Sequence, residues 1–388
     1  MGRVVSGDAL IGLTVRQLGR RVTGVALGIL GWVAFRFLSG SPDIASLVAG
    51  TGPIPATMTG LSNLSARVPF PLAEAVVAGF VLRQGFGVWW GIREVRSERA
   101  SLWGAPFRGA LRFAQDVGVL VFLFYMLWGI QYARPGLESY LGIEPAGEVA
   151  VPELRALAER AVERTNELYE ELHGADDIGE PTPAVPSLSE VIPSLEIGWD
   201  RVREDLGLPD RVSVPHGPPK RIFATPLIKR LGISGIYFPY TGEALVLSDL
   251  PGVVLGKDLG HEMAHQRGFS SESDANVLGT LVAARATDAL VRYSAYSFLQ
   301  QQLVSALQRV SSADAEEVVQ RRVPGVRRDL AALAVYWQPA QTPVAAAASR
   351  VNDALLRAHG VSEGVASYQG STWVFIALAR ERGSEILF

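Results

Sequence analysis

The stretch HEMAHQRGFSSESDAN, residues 261–276, decides the fold of the second half of the chain. His261 and His265 are four residues apart, so on a helix both imidazoles lie on one face, about 5–6 Å apart at Cβ, and can reach one ion. Glu262 lies beside the first histidine, where a carboxylate can accept a proton from an activated water molecule. The pattern predicts a metal-binding helix with the chemistry of zinc-dependent peptide hydrolysis.

The residues that follow predict a turn and a second helix that carries a third ligand. Gly268 suits the C′ position that ends the first helix, and Ser271 suits the N-cap of the next, which then begins at Glu272. A catalytic zinc takes three protein ligands, so Glu272 is predicted as the third, with Asp274 as its rival. Because each residue advances about 100° around the axis, Asp274 points roughly 200° away from Glu272, and only one of them can ligate.

Asn276 lies one turn beyond Glu272 on the same face. We expect its side chain to accept a hydrogen bond from a ligand imidazole and to fix the tautomer of that ring. A peptidase also needs a group that stabilises the developing oxyanion. The candidates for this role, each with structural packing as the alternative, are His359, Tyr368, Arg292 and Tyr293.

The composition narrows the class of protein. Of 388 residues, 48% are hydrophobic and 19% are charged, which indicates a membrane protein with a water-soluble part. The net charge of −3 offers no basic field for nucleic acid. With no cysteine, any metal must be held by histidines and carboxylates. Only five histidines are present, so a chance pair four residues apart in a surface network is the weaker alternative.

Three apolar runs predict transmembrane helices at residues 22–38, 72–92 and 117–132. The alternatives are a cleaved signal peptide for the first run and buried core helices for all three. Arginines are concentrated before the first run and between the second and third. The positive-inside rule therefore places those two segments in the cytoplasm and everything after residue 132 outside it.

The remainder of the chain divides into a helical connecting segment, residues 135–219, and a catalytic domain, residues 220–388. Strand signals at residues 221–225, 234–240 and 244–247 predict a small antiparallel sheet before the metal helix. Its edge strand either binds substrate by strand addition or is purely structural. Residues 276–307 are expected to form one long helix. Residues 367–378 are apolar enough to dock on a membrane but too short to span it.

The chain resembles an uncharacterised family of bacterial multi-pass membrane proteins with a predicted zinc-metallopeptidase domain. The resemblance rests on six stretches in order: LWGIQYARP (127–135), GIYFPYTGEA (235–244), HEMAHQRGF (261–269), ESDAN (272–276), RYSAY (292–296) and VND with HGVSEGVASY (351–368). Tyr368 lies in the last of these, which favours it for the oxyanion role. The resemblance implies a multi-pass protein of the bacterial cytoplasmic (inner) membrane.

More distantly, the pairing of HExxH with ExxAN resembles gluzincin-type membrane proteases of the CAAX prenyl endopeptidase kind. In those enzymes the glutamate is the third ligand, which carries over to Glu272. They usually have aspartate where this chain has Asn276, and a longer insertion before the glutamate. Asn276 keeps the acceptor but loses its charge.

Together these observations predict a mainly α membrane protein: a transmembrane region, residues 1–134, followed by an α+β zincin-like domain. The expected function is a membrane-anchored zinc metallopeptidase, an endopeptidase acting on envelope or membrane-associated peptides or proteins. The alternative is a catalytically inactive zinc-containing sensor or scaffold. Polar residues beside the motif, Lys257, Asp258 and Arg267, argue against an intramembrane site-2 type protease, and the spans offer no convincing path for a transporter.

Overall fold

The computed structural model describes residues 15–97, 101–174, 181–182, 187–361 and 363–388, and these are mainly helical with one small sheet. The α-helices, numbered within this part of the chain, are α1 (Val15–Ser39), α2 (Pro42–Ser46), α3 (Pro53–Ser65), α4 (Leu72–Arg96), α5 (Gly104–Leu127), α6 (Leu137–Leu141), α7 (Val151–His173), α8 (Ile192–Leu206), α9 (Thr225–Lys229), α10 (Gly252–Gln266), α11 (Glu272–Ala284), α12 (Ala289–Val310), α13 (Ser312–Gln320), α14 (Pro324–Tyr336), α15 (Pro343–Ala358) and α16 (Ser371–Arg382). A π-helical turn at Leu47–Thr51 and short 3₁₀ turns join some of them.

The chain forms two compact units. The first consists of Met1–Ile54 and Leu72–Arg134, and the second of Pro55–Pro71 and Pro135–Phe388. Three helices of the first unit, α1, α4 and α5, are long and apolar enough to cross a membrane. The predicted domain boundaries at residues 134 and 219 stay predictions.

The third apolar helix differs from its predicted bounds of 117–132. It begins at Gly104 and ends at Leu127, and a 3₁₀ turn follows at Gly129–Ala133. The break lies at Trp128, whose backbone leaves the helical region with φ −141° and ψ −52°. Gly129 then packs so closely that a Cβ there would lie 2.6 Å from the Tyr125 ring. In the first unit, α1 and α5 also cross closely, since a Cβ on Gly28 would meet the Gly118 backbone at 2.9 Å.

The core of the second unit is built from α7, α10, α11 and α12, with Tyr169, Trp199 and Tyr293 among its largest buried side chains. The expected single helix over residues 276–307 is wrong. The chain breaks between α11 and α12, where the side chain of Asp288 accepts a hydrogen bond from Val291 N at 2.9 Å and caps α12. In a continuous helix, Val291 N would donate to a backbone carbonyl one turn earlier. Here the Asp288 carboxylate accepts that hydrogen bond instead, and a new helix begins.

The sheet is mixed rather than antiparallel, which corrects the prediction. Its strands are β1 (Lys220–Ile222), β2 (Gly235–Phe238) and β3 (Glu243–Leu247), in the order β1-β3-β2. β2 and β3 form the expected antiparallel pair, whereas β1 runs parallel to β3. Helix α9, with Pro226 in its first turn, follows β1 and carries the chain across, as a parallel connection requires.

Residues 55–71 are held in the second unit by buried polar contacts. The Ser62 hydroxyl accepts from Gly217 N at 2.9 Å and from Gln266 Nε2 at 2.8 Å. The Lys220 ammonium donates to the carbonyls of Ser65 at 2.8 Å and Phe70 at 3.1 Å. A segment between two candidate spans therefore belongs to the same folded body as the metal motif.

The expected membrane docking of residues 367–378 is wrong for the helical part of that segment. Phe375, Ile376 and Leu378 of α16 are fully buried within the unit. An apolar segment of this length serves equally as a core helix. Here most of its apolar side chains are covered, and Trp373 is the exposed one.

Candidate metal centre

The site is centred on His261, His265 and Glu272. One ligand atom from each lies within 4.8 Å of the others, close enough to hold a single metal ion. Glu272 Oε2 lies 3.3 Å from His261 Nε2 and 3.6 Å from His265 Nε2. Both histidines are buried, and the Glu272 side chain is only 14% exposed. The structure thus brings together the three residues that the sequence predicts as ligands.

Two glycines allow α10 and α11 to approach closely at this point. A Cβ on Gly260 would lie 2.8 Å from the Gly279 carbonyl oxygen, and a Cβ on Gly279 would lie 2.6 Å from His261 N. Neither distance is tolerated by real Cβ atoms, so the crossing requires glycine on both helices. The close crossing lets side chains of α11 reach the imidazole of His261.

The turn between the helices matches the sequence-based prediction. Gly268 has φ +92° and donates its N–H to the His265 carbonyl at 2.9 Å, while Phe269 N donates to the Ala264 carbonyl at 3.1 Å. This pair of bonds is a Schellman motif. Ser271 then caps α11 by accepting from Asp274 N at 3.2 Å, and the helix begins at Glu272 as predicted.

The remaining ring nitrogens of the histidines are held by oxygen acceptors. His265 Nδ1 lies 2.7 Å from the Phe269 carbonyl oxygen and must donate to it. His261 Nδ1 lies 3.0 Å from Asn276 Oδ1, as expected for Asn276. In the neutral rings both Nε2 atoms are then left with a lone pair directed at the same point, which is the arrangement of a metal ligand pair.

Lys257 shares the amide oxygen of Asn276. Its ammonium donates to Asn276 Oδ1 at 2.7 Å and lies 4.1 Å from the centre of the Phe298 ring. Because an ammonium only donates, this contact fixes the orientation of the amide and confirms that its oxygen faces His261. The ammonium also supplies a positive charge behind a ligand histidine, next to the Asn276 amide that stands where the resembling enzymes usually have aspartate.

Glu262 is directed into a buried space beside β2. Its side chain lies so close to Gly235 that a Cβ there would be 2.6 Å from Glu262 Oε1. Among the described residues its Oε2 atom has no hydrogen-bond partner, although it is buried. Burial raises the pKa of this carboxyl to about 8 in the metal-free site. An unpartnered buried carboxyl of this kind is characteristic of functional sites.

His261, His265 and Glu272 shift one another's pKa. Burial lowers the pKa of His261 to about 4. Burial also acts to lower the pKa of His265, but the Glu272 carboxylate outweighs it and raises that pKa to about 9. Burial opposes ionisation of Glu272, yet the two imidazoles keep its pKa well below the ordinary value. A positive charge placed among these three groups is therefore electrostatically favoured.

The other candidates lie in different surroundings. Asp274, the rival third ligand, accepts from Leu137 N at 3.0 Å and caps α6. Arg292 donates to Glu171 at 2.8 Å, and Tyr293 donates to Asp329 at 2.8 Å within the core. His359 Nδ1 lies 2.7 Å from the Leu355 carbonyl, one turn earlier in the same stretch. The structure does not bring these residues into the cluster.

Tyr368 is the exception among the oxyanion candidates. Burial and the neighbouring Glu272 carboxylate raise the pKa of its phenol, and Asn352 Nδ2 lies 3.4 Å from its hydroxyl. Its carbonyl accepts from Asn276 Nδ2 at 3.4 Å. The phenol therefore lies at the edge of the cluster.

Sequence reasoning missed Lys257, Gly235, Gly260 and Gly279. For Gly260 and Gly279 a signal was available, since a glycine within a helix costs about 1 kcal/mol relative to alanine and needs a packing reason. Lys257 lies one turn before His261, a spacing that places both on one face, but the sequence alone indicates only a polar residue beside the motif. Nothing local in the sequence pairs Gly235 with Glu262.

Fold and site define a helical protein with three candidate membrane-spanning helices and a buried His–His–Glu cluster beside a free carboxyl group. The chain belongs to a family described as a protein of unknown function (DUF3810), whose model matches residues 51–375. That range contains the whole stretch 261–276. No curated protein matches the chain, and no solved structure does.

Proposed function

We propose that the protein is a membrane-anchored zinc-dependent metallopeptidase. The observation that carries the proposal is the convergence of His261, His265 and Glu272 around one point, with the unpartnered carboxyl of Glu262 beside them. A purely structural ion pair would not need the buried Glu262, which costs free energy unless it has a role.

The donor set fits zinc. Two imidazoles and one carboxylate are a frequent ligand set of catalytic zinc, and they leave a position open for substrate or water. The hydrogen bonds from the histidines to Asn276 and Phe269 would hold both rings in place to ligate a bound ion. When bound, zinc supplies a Lewis acid that polarises a carbonyl and lowers the pKa of a water molecule.

Glu262 would act as the general base. Its Oε2 atom accepts a proton from the attacking water and then donates it to the leaving amine of the cleaved peptide. The burial that keeps this carboxyl unpartnered also excludes bulk water that would compete for the proton. Tyr368, at the edge of the cluster, is the donor that we propose for the developing oxyanion.

Substrate would bind along β2. This strand is at one end of the sheet order, and Gly235 brings its backbone against Glu262. An extended peptide that pairs with the outer edge of β2 would therefore pass close to the general base. This geometry suits internal segments of a chain, so we propose an endopeptidase whose substrates are envelope or membrane-associated peptides and proteins, and not nucleic acids.

The three apolar helices would anchor the protein in the bacterial cytoplasmic membrane. Residues 55–71 and 135–388 form one unit, so an even number of crossings must separate residue 71 from residue 135. Helices α4 and α5 supply two crossings, and α1 supplies the one before them. With the arginine-rich loop between α4 and α5 in the cytoplasm, the catalytic unit lies outside it.

The test separates metal binding from catalysis. Purified full-length protein is expected to hold about one zinc per chain, both as wild type and as Glu262→Gln, and to lose it as His261→Ala. Comparative proteomics of membrane and envelope fractions should show substrates accumulating in cells with Glu262→Gln but not with the exposed control Glu144→Gln. Wild-type protein without zinc would contradict the metal site. Bound zinc with no accumulation of substrates in the Glu262→Gln cells would favour the inactive sensor or scaffold.

A further inference from the structure

A groove of about 670 Å³ lies between α4 and α5 of the first unit. Its size falls within the range of small-molecule and lipid sites. Most of its lining is apolar or small, and its polar residues are Gln84, Arg96 and Arg112. None of the described residues that line it carries a carboxylate. The groove therefore combines hydrocarbon walls with a net positive charge.

Arg112 is built into the groove by a glycine. Its guanidinium occupies the space where a Cβ on Gly87 would lie, so α4 can accommodate it only because residue 87 has no side chain. The Nε atom of Arg112 is buried and has no hydrogen-bond partner in the part of the chain that the structure describes. A buried guanidinium donor left open in this way is costly and suits an anionic ligand.

The nearest carboxylate does not satisfy Arg112 by hydrogen bonding. Asp116 accepts from Arg83 Nε at 2.8 Å, from Arg83 Nη2 at 2.9 Å and from Gln84 Nε2 at 3.0 Å. These contacts tie α4 to α5 and use both oxygens of the carboxylate. Arg83 is thereby paired. Arg112, which the same carboxylate attracts without a hydrogen bond, lines the groove.

We propose that this groove is a binding site for an anionic phospholipid. Its acyl chain lies against the apolar walls, and its phosphate accepts hydrogen bonds from the Arg112 guanidinium. Both helices are apolar enough to lie in a bilayer, so lipid is the ligand always present at this surface. Basic pockets between membrane helices favour anionic headgroups over zwitterionic ones, which carry their own cation.

The experiment uses the full-length protein purified in detergent and incubated with equal amounts of phosphatidylglycerol and phosphatidylcholine. Bound lipid is quantified by mass spectrometry of the intact protein. Wild type is expected to retain phosphatidylglycerol preferentially, and Arg112→Gln to reduce that retention about fivefold. The matched control is Arg93→Gln, which removes a charge from the last turn of α4 at a residue that does not line the groove.

Gly87→Ala tests whether the position of the Arg112 guanidinium matters, rather than its charge. It keeps every arginine but displaces the guanidinium of Arg112, so it should reduce phosphatidylglycerol retention as Arg112→Gln does. If Arg112→Gln fails to fold, as judged by thermal unfolding, Gly87→Ala provides the test in its place. Equal retention of both lipids by wild type, or equal losses with Arg93→Gln and Arg112→Gln, would overturn the proposal.

Discussion

Gly235 and Glu262 are in direct contact, since a Cβ on Gly235 would lie 2.6 Å from Glu262 Oε1. Gly235→Ala must therefore displace the proposed general base. We expect peptide cleavage to fall about 100-fold, as for a small misplacement of a catalytic group, while zinc content stays unchanged. Metal analysis and cleavage of a substrate found by proteomics measure the two effects.

Gly60→Ala is the control for that substitution. Gly60 lies in α3 of the same unit, and nothing would contact a Cβ there within 4 Å. It should leave both zinc content and cleavage unchanged. Full cleavage activity in Gly235→Ala would show that the contact with Glu262 has no catalytic consequence.

Gly279→Ala should weaken zinc binding by separating α10 from α11. The added methyl group would lie 2.6 Å from His261 N, so the helices must move apart and the contact between His261 and Asn276 lengthens. We expect a loss of stability of about 1–3 kcal/mol, typical of overpacking. Chemical denaturation measures the stability, and zinc titration against a chelator measures the affinity. Zinc affinity equal to wild type would contradict this role of the crossing.

Asn276→Leu should lower zinc affinity by about 10–100-fold, because it removes the acceptor that orients the His261 ring. Asn276→Asp keeps an acceptor and gives Lys257 a charged partner at the same place. We therefore expect the aspartate variant to bind zinc at least as tightly as wild type. Competitive titration with a chelator measures the zinc affinity of each variant. Equal losses of affinity in both would show that the hydrogen-bond acceptor at residue 276 does not determine zinc binding.

Removal of zinc by a chelator should abolish cleavage without unfolding the protein. Both site helices are buried in the core of the second unit, and the turn between them is closed by backbone hydrogen bonds. Circular dichroism should therefore stay unchanged on chelation, and readdition of zinc should restore activity. Loss of helical signal on chelation would instead indicate a structural metal site.

The absence of native cysteine makes the topology directly testable. Single cysteines at Asn63 and Ala150, both exposed in the second unit, should react with a membrane-impermeant thiol reagent on intact cells. A cysteine at Ser97, in the loop after α4, should react only after permeabilisation. Labelling of Asn63→Cys and Ala150→Cys from opposite sides would contradict the two-crossing arrangement between them.

The sequence predicted what depends on local spacing. His261 and His265, the glycine turn at Gly268 and the cap at Ser271 are all specified within a few residues, and the structure has them as expected. Helical geometry shows only that Glu272 and Asp274 cannot both ligate. The preference for Glu272 comes from its i,i+4 pairing with Asn276 and from the resemblance to gluzincin-type proteases. These features need no knowledge of the rest of the chain.

Long-range features could not be predicted. The position of β1 beside β3 depends on a connection through α9, and the docking of residues 55–71 depends on partners such as Gly217. The break before α12 is set by the choice of Asp288 as a cap, where helical periodicity continues on both sides. The first two are decided by contacts between distant residues. The third depends in part on such a contact, because Asp288 N donates to Ser194 Oγ at 2.7 Å, 94 positions away. A local sequence pattern does not contain these contacts.

The contact of Ser62 with Gln266 constrains the order in which the protein folds during its synthesis. The two residues are 204 positions apart, and the ribosome adds about 5–20 residues per second, so α3 waits roughly 10–40 s for this partner. During that interval α4 and α5, the second and third candidate membrane-spanning helices, are synthesised. The second unit can therefore close only after all three candidate membrane-spanning helices have been synthesised, so the proposed peptidase activity would begin only then.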